Sequence, residues 1–390
     1  MKTNTTVSSG VTRLEVRASQ RETFTEFHIT ATIEGDVPVV VAADDLFAQV
    51  AATLIDRRIE PMQEKLYGLV SVRDDVLERR NAIYCDHGLD RRMPVTWLQG
   101  APPEGCPFVG LQIWGIARKD GQTCVTTVEN PVTGRGRLWQ ARGFRMLHLA
   151  SVSGTTADGS RPVGPSAQAQ QMFTNVGLGL EAHGFRYTNV ARTWIYVARL
   201  LEWYGDLNRV RTAHYKAQGI GVAGGPAFPA STGIQCFSDG EECLIDVLAV
   251  KADAPRTINV EPIRGSPRQD QSFNYGSAFS RGMTFEIEGR RTVHVSGTAS
   301  INTAGASTHL GDAECQSLET LMSIAAILEE QGGGLKDITS ATLFCKDRDA
   351  WEAWCRVTRL LQIPAFPKVC VIADVCRHDL LVEMEAVAVI

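Results

Sequence analysis

Two stretches of the chain match each other at a constant spacing, and this internal repeat limits the fold more than any other feature. At an offset of 148, Gln168 falls on Gln316 and QAQQMFTNVGLGLEAHG falls on QSLETLMSIAAILEEQG. The same offset puts TNVARTWIYV on KDITSATLFC, Trp203 on Trp351 and Arg211 on Arg359. After a shortened loop the offset falls to 137, so that CLIDVLAVKA lies on LLVEMEAVAV and Asp246 lies opposite Glu383. Each copy reads alike: a short strand runs into Ser-Gly-Thr (Ser153-Gly154-Thr155, Ser296-Gly297-Thr298). A helix follows, with Leu318, Leu321, Ala325 and Leu328 at three- and four-residue spacing, stopped by glycine. A β-branched and aromatic strand, a second amphipathic helix and two closing strands complete the unit.

This order predicts an α+β fold: two tandem modules, each a mixed sheet with helices on one face, preceded by an N-terminal α/β subdomain. The expected division is 1–145, 146–265 and 266–390. Residues 1–145 show no match to the repeat. There Val11–Ala18, Phe24–Ile33, Phe108–Ile116 and 122–128 read as strands, Ala42–Ile59 as a helix and APPEGCP as a loop.

With 390 residues, 44% hydrophobic and 21% charged, the chain has the make-up of a globular protein of two or three domains. A net charge of −5 without a basic stripe argues against nucleic acid as a partner. No apolar run reaches the length of a membrane span, and the start, MKTNTTVSSGVTRLEV, lacks the apolar core of a secretory signal. A cytoplasmic protein is expected. The ten cysteines form no C-x-x-C pair and no zinc pattern, so no disulfide and no metal is expected. GIGVAGGP at 219–226 lacks the strand-turn-helix setting of a phosphate loop, and no nucleotide site is read from it.

Glu383 draws attention from the residues alone. Alternation in LLVEMEAVAVI puts Glu383 and Glu385 on one face of a strand rich in apolar residues on both faces, hence a central strand. A carboxyl buried there is either paired or held protonated, and a protonated one is a general acid near neutral pH. Pairing with a buried arginine is the alternative. Glu385 fits a structural role better. Cys376, seven residues before Glu383, reads as a packed small side chain unless a hairpin brings it to the carboxyl. Arg192 shares a strand face with Trp194 and Tyr196, and Arg211 and Tyr215 share a helix face. Arg281 follows Tyr275 in YGSAFSRG, and Lys368 follows Pro367. Each of these cations is otherwise an ordinary surface charge. Gly297 permits close approach of backbone to a ligand, or simply makes a tight turn.

The ending VEMEAVA and the SGTAS motif resemble the YjgF/RidA family. RTWIYVARLLEWYGDLNRVRTAHYKAQGI, PASTGIQ, YGSAFSRG, SGTASI and ADVCRHDLLVE together resemble the chorismatases, within the same superfamily and its chorismate-mutase-like fold. That resemblance implies release of pyruvate from chorismate without a cofactor. It assigns Glu383 as the acid that protonates the enolpyruvyl ether and Cys376 as the mark of the branch forming 3-hydroxybenzoate. Arg192, Arg211, Arg281 and Lys368 would hold the carboxylates, with Tyr215, Tyr275 and Gly297 shaping the pocket. By its spacing to Glu383, Lys368 stands where RidA-type enzymes carry a carboxylate-binding arginine, a departure that weighs against the rival reading, an enamine/imine hydrolase. A non-catalytic metabolite-binding protein is the second rival. The family also implies a homo-oligomer or a trimer-like packing of modules.

Overall fold

The computed structural model describes residues 1–236, 240–254 and 257–390. Three six-stranded sheets account for the fold, one per module, each with two helices on its outer face. The first module holds β1 (Lys2–Ser8), β2 (Thr12–Gln20), β3 (Phe24–Ile33), α1 (Val39–Asp56), β4 (Glu60–Gly68), α2 (Arg73–Asp86), β5 (Thr96–Gln99) and β6 (Phe108–Arg118). The second holds β7 (Val125–Asn130), β8 (Gly134–Ala141), β9 (Phe144–Ser153), α3 (Pro165–Ala182), β10 (Val190–Val197), α4 (Leu200–Ala217), β11 (Ala230–Gln235) and β12 (Cys243–Ala252). The third holds β13 (Asn259–Ile263), β14 (Gly282–Ile287), β15 (Arg290–Ala299), α5 (Ala313–Glu330), β16 (Ile338–Cys345), α6 (Arg348–Leu360), β17 (Lys368–Ile372) and β18 (Val382–Val389).

The α+β class and the tandem modules agree with the repeat, and the offset of 148 carries α3 onto α5 and β10 onto β16 residue for residue. Strand pairing moves the expected boundaries. Residue 145 lies inside β9, whose partner β8 and the adjoining β7 precede it, so the second module begins near Val125. The third sheet likewise begins at Asn259, ahead of 266.

The N-terminal unit is itself a third copy. Its order β1-β2-β3-β6-β4-β5 is that of β7-β8-β9-β12-β10-β11 and of β13-β14-β15-β18-β16-β17. Even the irregularities agree. The first crossover strand of each module shifts register near its start, between Pro61 and Gln63, Val190 and Arg192, and Ile338 and Ser340. Counting from that shift, Lys65, Trp194 and Thr342 correspond, and their partners on the closing strands are Gln112, Asp246 and Glu385. Two residues on, Tyr67, Tyr196 and Phe344 pair with Gly110, Leu244 and Glu383. Asp246 is therefore the counterpart of Glu385, at an offset of 139, and the expected match to Glu383 is corrected. The loop is one of unequal length, and only hydrogen-bond register fixes the count across it.

Helices and sheet faces form one apolar core per module, and the three inner sheet faces meet in a fourth that includes Met62, Trp194, Phe285 and Phe344. The modules close a ring: β11 lies against β15, β17 against β3, and Thr96 of β5 hydrogen-bonds Ser151 of β9 (3.3 Å). The trimer-like packing expected of modules is thus met within one chain. Polar groups line the axis. Glu385 accepts from Arg192 (2.7 Å) and Thr232 (2.5 Å), and Lys65 lies 3.7 Å away. Burial alone would raise the Glu385 pKa, but Lys65, Arg192 and the hydroxyls of Thr232 and Thr342 outweigh it and hold the carboxyl below its ordinary range.

A buried pair fixes α2 on its sheet. Arg80 donates from Nε to Glu64 (3.0 Å), and Tyr84 donates to the same carboxylate (3.0 Å), all three side chains being buried. Replacing Arg80 by Met leaves Glu64 charged and uncompensated. That substitution is expected to cost about 3–5 kcal/mol, read by denaturant unfolding at neutral pH. A loss within 1 kcal/mol would mean that solvent reaches Glu64.

Candidate active site

A pocket enclosing, with its mouth, about 550 Å³ of atom-free space opens between the second and third modules. β18 supplies Glu383 from the third module, and α4 supplies Tyr204 and Arg211 from the second. The loop before β14 supplies Tyr275 and Arg281, and the loop between β17 and β18 supplies Cys376 and Arg377.

Glu383 is central in its sheet, between β15 and β16, with Ala299 and Phe344 as neighbours. Val382, Met384 and Ala386 fill the helix side, so Glu383 and Glu385 face inward as alternation predicts. The two acids then separate. Glu385 is ion-paired on the axis, whereas Glu383 reaches the pocket with no cation within ion-pair distance among the described residues. Burial first, and the Glu385 charge second, push its pKa up to about 8, against the opposing pull of Arg192 and Arg377. At neutral pH the group is a carboxylic acid.

Gly297 makes room for it. β15 shifts register between Val295 and Thr298, and a Cβ on Gly297 would overlap Oε1 of Glu383 and come within 3.2 Å of the Thr232 methyl. The Gly297 amide donates to Thr232 (3.0 Å), whose hydroxyl donates to Glu385. Gly297→Ala is expected to turn the Glu383 carboxyl out of place and cut turnover at least 100-fold. The fold should survive, as measured by kcat and by thermal unfolding of the same preparation. Turnover within threefold of the parent would refute the packing argument.

Cys376 enters the pocket without the hairpin. β17 and β18 are not neighbours, because β16 lies between them, and Cys376 sits in their connecting loop. Burial and the nearby Glu383 push its thiol up to about 12, despite Arg377 and Tyr204. The thiol is therefore neutral, a weak donor and not a nucleophile.

Three guanidinium groups face the acid. Arg211 donates to Asn208 (2.6 Å), and its buried Nε has no partner among the described residues. Arg281 donates to the Asp270 carbonyl (2.9 and 3.0 Å) and to the Tyr275 hydroxyl. Arg377 donates to the Gly305 carbonyl (2.7 Å) and to Ser307 (3.3 Å). Among the described residues none of the three has a carboxylate within ion-pair distance, and Arg211 and Arg281 are almost fully buried.

Of the residues expected from sequence, Glu383, Cys376, Arg211, Tyr275, Arg281 and Gly297 line this pocket. Arg192 does not: it is ion-paired to Glu385 and lies 4.8 Å from the Trp194 ring centroid on the axis. Tyr215 does not: it is fully buried one turn beyond Arg211, among Phe173, Tyr187 and Phe228. Lys368 lies in a different cleft, between the third and first modules. Sequence reading missed Tyr204 and Arg377. Both stand inside motifs already singled out, LEWYGD and CRHD, but nothing in their spacing aims them at Glu383.

Residues 277–390 match the endoribonuclease L-PSP family model. The 3-aminoacrylate deaminase RutC of Acinetobacter baylyi is 32% identical over 103 residues, which are 25% of this chain and 77% of that protein. The chain therefore belongs to this family, the YjgF/RidA superfamily. The crystal structure of a chorismatase covers 84% of this chain and 92% of its own, with a TM-score of 0.58 and 21% identity, so the two share a fold. The YjgF gene product of E. coli is 24% identical, over 28% of this chain and 86% of its own, with a TM-score of 0.24. No helix among the described residues is long and apolar enough to cross a membrane.

Proposed function

We propose that this chain is a chorismatase that converts chorismate to a hydroxybenzoate, favouring 3-hydroxybenzoate, and pyruvate. The observation that carries the reading is one protonated carboxyl set among three arginines without carboxylate partners. Chorismate brings two carboxylates and an acid-labile enol ether, which is what such a pocket would take: guanidinium forks for the anions and a neutral acid for the ether. Glu383 delivers its proton to the enolpyruvyl methylene. The resulting oxocarbenium makes pyruvate the leaving group, and the bond from its oxygen to the ring carbon breaks as the neighbouring ring hydroxyl closes an epoxide. The hydroxyl proton returns to Glu383. Ring opening and aromatisation then give 3-hydroxybenzoate, with the neutral Cys376 thiol beside the epoxide oxygen. Atoms balance without water or cofactor.

The imine-hydrolase reading is weaker here. The residues of β11 that line the Glu383 pocket are Ser231 and Gly233, and Ser231 stands where a RidA-type site would carry its arginine. Incubation with chorismate, with pyruvate and aromatics followed by chromatography, tests the reading. Pyruvate and a hydroxybenzoate in equal amounts are expected, and no consumption of chorismate would sink it. Cys376→Ala is expected to keep pyruvate release within tenfold while diverting product to the dihydroxycyclohexadiene carboxylate. An unchanged product ratio would remove Cys376 from the mechanism.

A further inference from the structure

The ring of three modules has more than one cleft of the same descent, and strand register identifies what each carries. In the Glu383 cleft, Ser231 of β11 pairs with Thr193 and faces the acid from the neighbouring module. The equivalent of Ser231 in the third module is Lys368, paired with Ala341, and the residue in Glu383's place across that cleft is Gly110. Gly110 has φ +148°, and a Cβ there would overlap the Ala31 carbonyl, so no acid can stand in its position without moving β3. This cleft encloses, with its mouth, about 930 Å³ of atom-free space, more than the Glu383 pocket.

Its chemistry is that of a binding site without a catalyst. Trp351 and Phe366 form apolar walls. The Lys368 ammonium lies 5.6 Å from the Phe366 ring centroid and has no carboxylate within ion-pair distance among the described residues. The two carboxylates on the walls are already engaged: Glu15 with Arg13 (3.5 Å) and Arg17 (3.8 Å), Glu104 with Arg348 (3.5 Å). Lys368 is therefore the lining cation that has no carboxylate within ion-pair distance among the described residues, whereas Arg13 shares Glu15 with Arg17. One cation above aromatic walls fits one carboxylate on a flat ring, whereas the Glu383 pocket offers three guanidiniums.

We infer that the Lys368 cleft is a second ligand site, taking a ring monocarboxylate of the benzoate class and performing no chemistry on it. That this ligand is the enzyme's own product rests on the function proposed above. β17 carries Lys368 at one end and leads at the other into the loop of Cys376 and Arg377.

Fluorine NMR of 3-fluorobenzoate with the full chain tests the site, with 3-hydroxybenzoate as competitor. Two bound resonances are expected. Lys368→Met should weaken one at least tenfold, and Lys368→Arg should restore it. Arg281→Met should weaken only the other. Thermal unfolding checks that each variant is folded. A single bound resonance indifferent to Lys368→Met overturns the inference, as does equal weakening of both by that substitution. The two readings fail separately: benzoate bound at Lys368 in a chain that leaves chorismate intact sinks only the proposed function, and chorismate turnover without a Lys368-dependent resonance sinks only the second site.

Discussion

Replacing Glu383 by Gln is expected to lower pyruvate release from chorismate by roughly 10²–10⁴-fold, the range removed with a general acid, and to leave the fold intact. Gln keeps the shape and the neutral charge of the protonated acid, so substrate affinity should change little. The loss should fall on kcat. For the parent, kcat/KM should decline above pH 8, because Glu383 titrates at about 8. The sign for stability is opposite to that of an ion-paired acid. The folded pKa is raised above the usual carboxylate value, so folding holds the proton more tightly than the unfolded chain does. The penalty is absent below pH 4.5, grows as pH rises from there to about 8, and is complete beyond. Glu383→Gln should thus be more stable than the parent at pH 9, by a few kcal/mol (roughly 1.4 per pKa unit), and equal to it at pH 4. Denaturant midpoints at the two pH values decide. Equal stability at both would mean the carboxyl is solvated, and a normal kcat in the variant would end its role as the acid.

Removing a pocket arginine is expected to act on binding instead of turnover, weakening binding while strengthening the empty protein. Arg211→Met deletes a buried cation whose Nε has no partner among the described residues. The ligand-free chain should gain about 1–3 kcal/mol once that unmet donor is gone. A carboxylate held by such a group contributes about 2–5 kcal/mol, so KM for chorismate should rise by roughly 30-fold or more. Arg281→Met should raise KM similarly. It should also free Tyr275, which accepts the Arg281 hydrogen bond. Steady-state kinetics with thermal unfolding on the same samples reads both arms. A rise in KM with a fall in stability would mark Arg211 as a structural group instead.

How far the sequence could be read depended on whether a residue acts within its own module or across a cleft. The repeat, the helix pair and the central strand were legible because periodicity and turn chemistry are local, and the inward face of Glu383 followed from alternation in one strand. Arg192 shows the limit. Alternation gave its face correctly, but position along that face decides whether a side chain meets the axis or a cleft, and that depends on how three sheets pack. Lys368 shows the same limit differently. Its spacing to Glu383 is a distance within one module, whereas each cleft joins β17 or its counterpart to the next module's closing strand.

The third copy was hidden for a related reason. Gly110 and Gln112 stand where Glu383 and Glu385 stand, so the signature residues are gone while register and bulge remain. Sequence alone determined the module, its inward-facing acid and most of the cations that could serve it. The tertiary structure decided that three modules close a ring, that Glu385 is neutralised on its axis while Glu383 is left protonated, and that Arg377 and Tyr204 join the site. Those outcomes rest on desolvation and on charges brought together from distant parts of the chain, which no local pattern encodes.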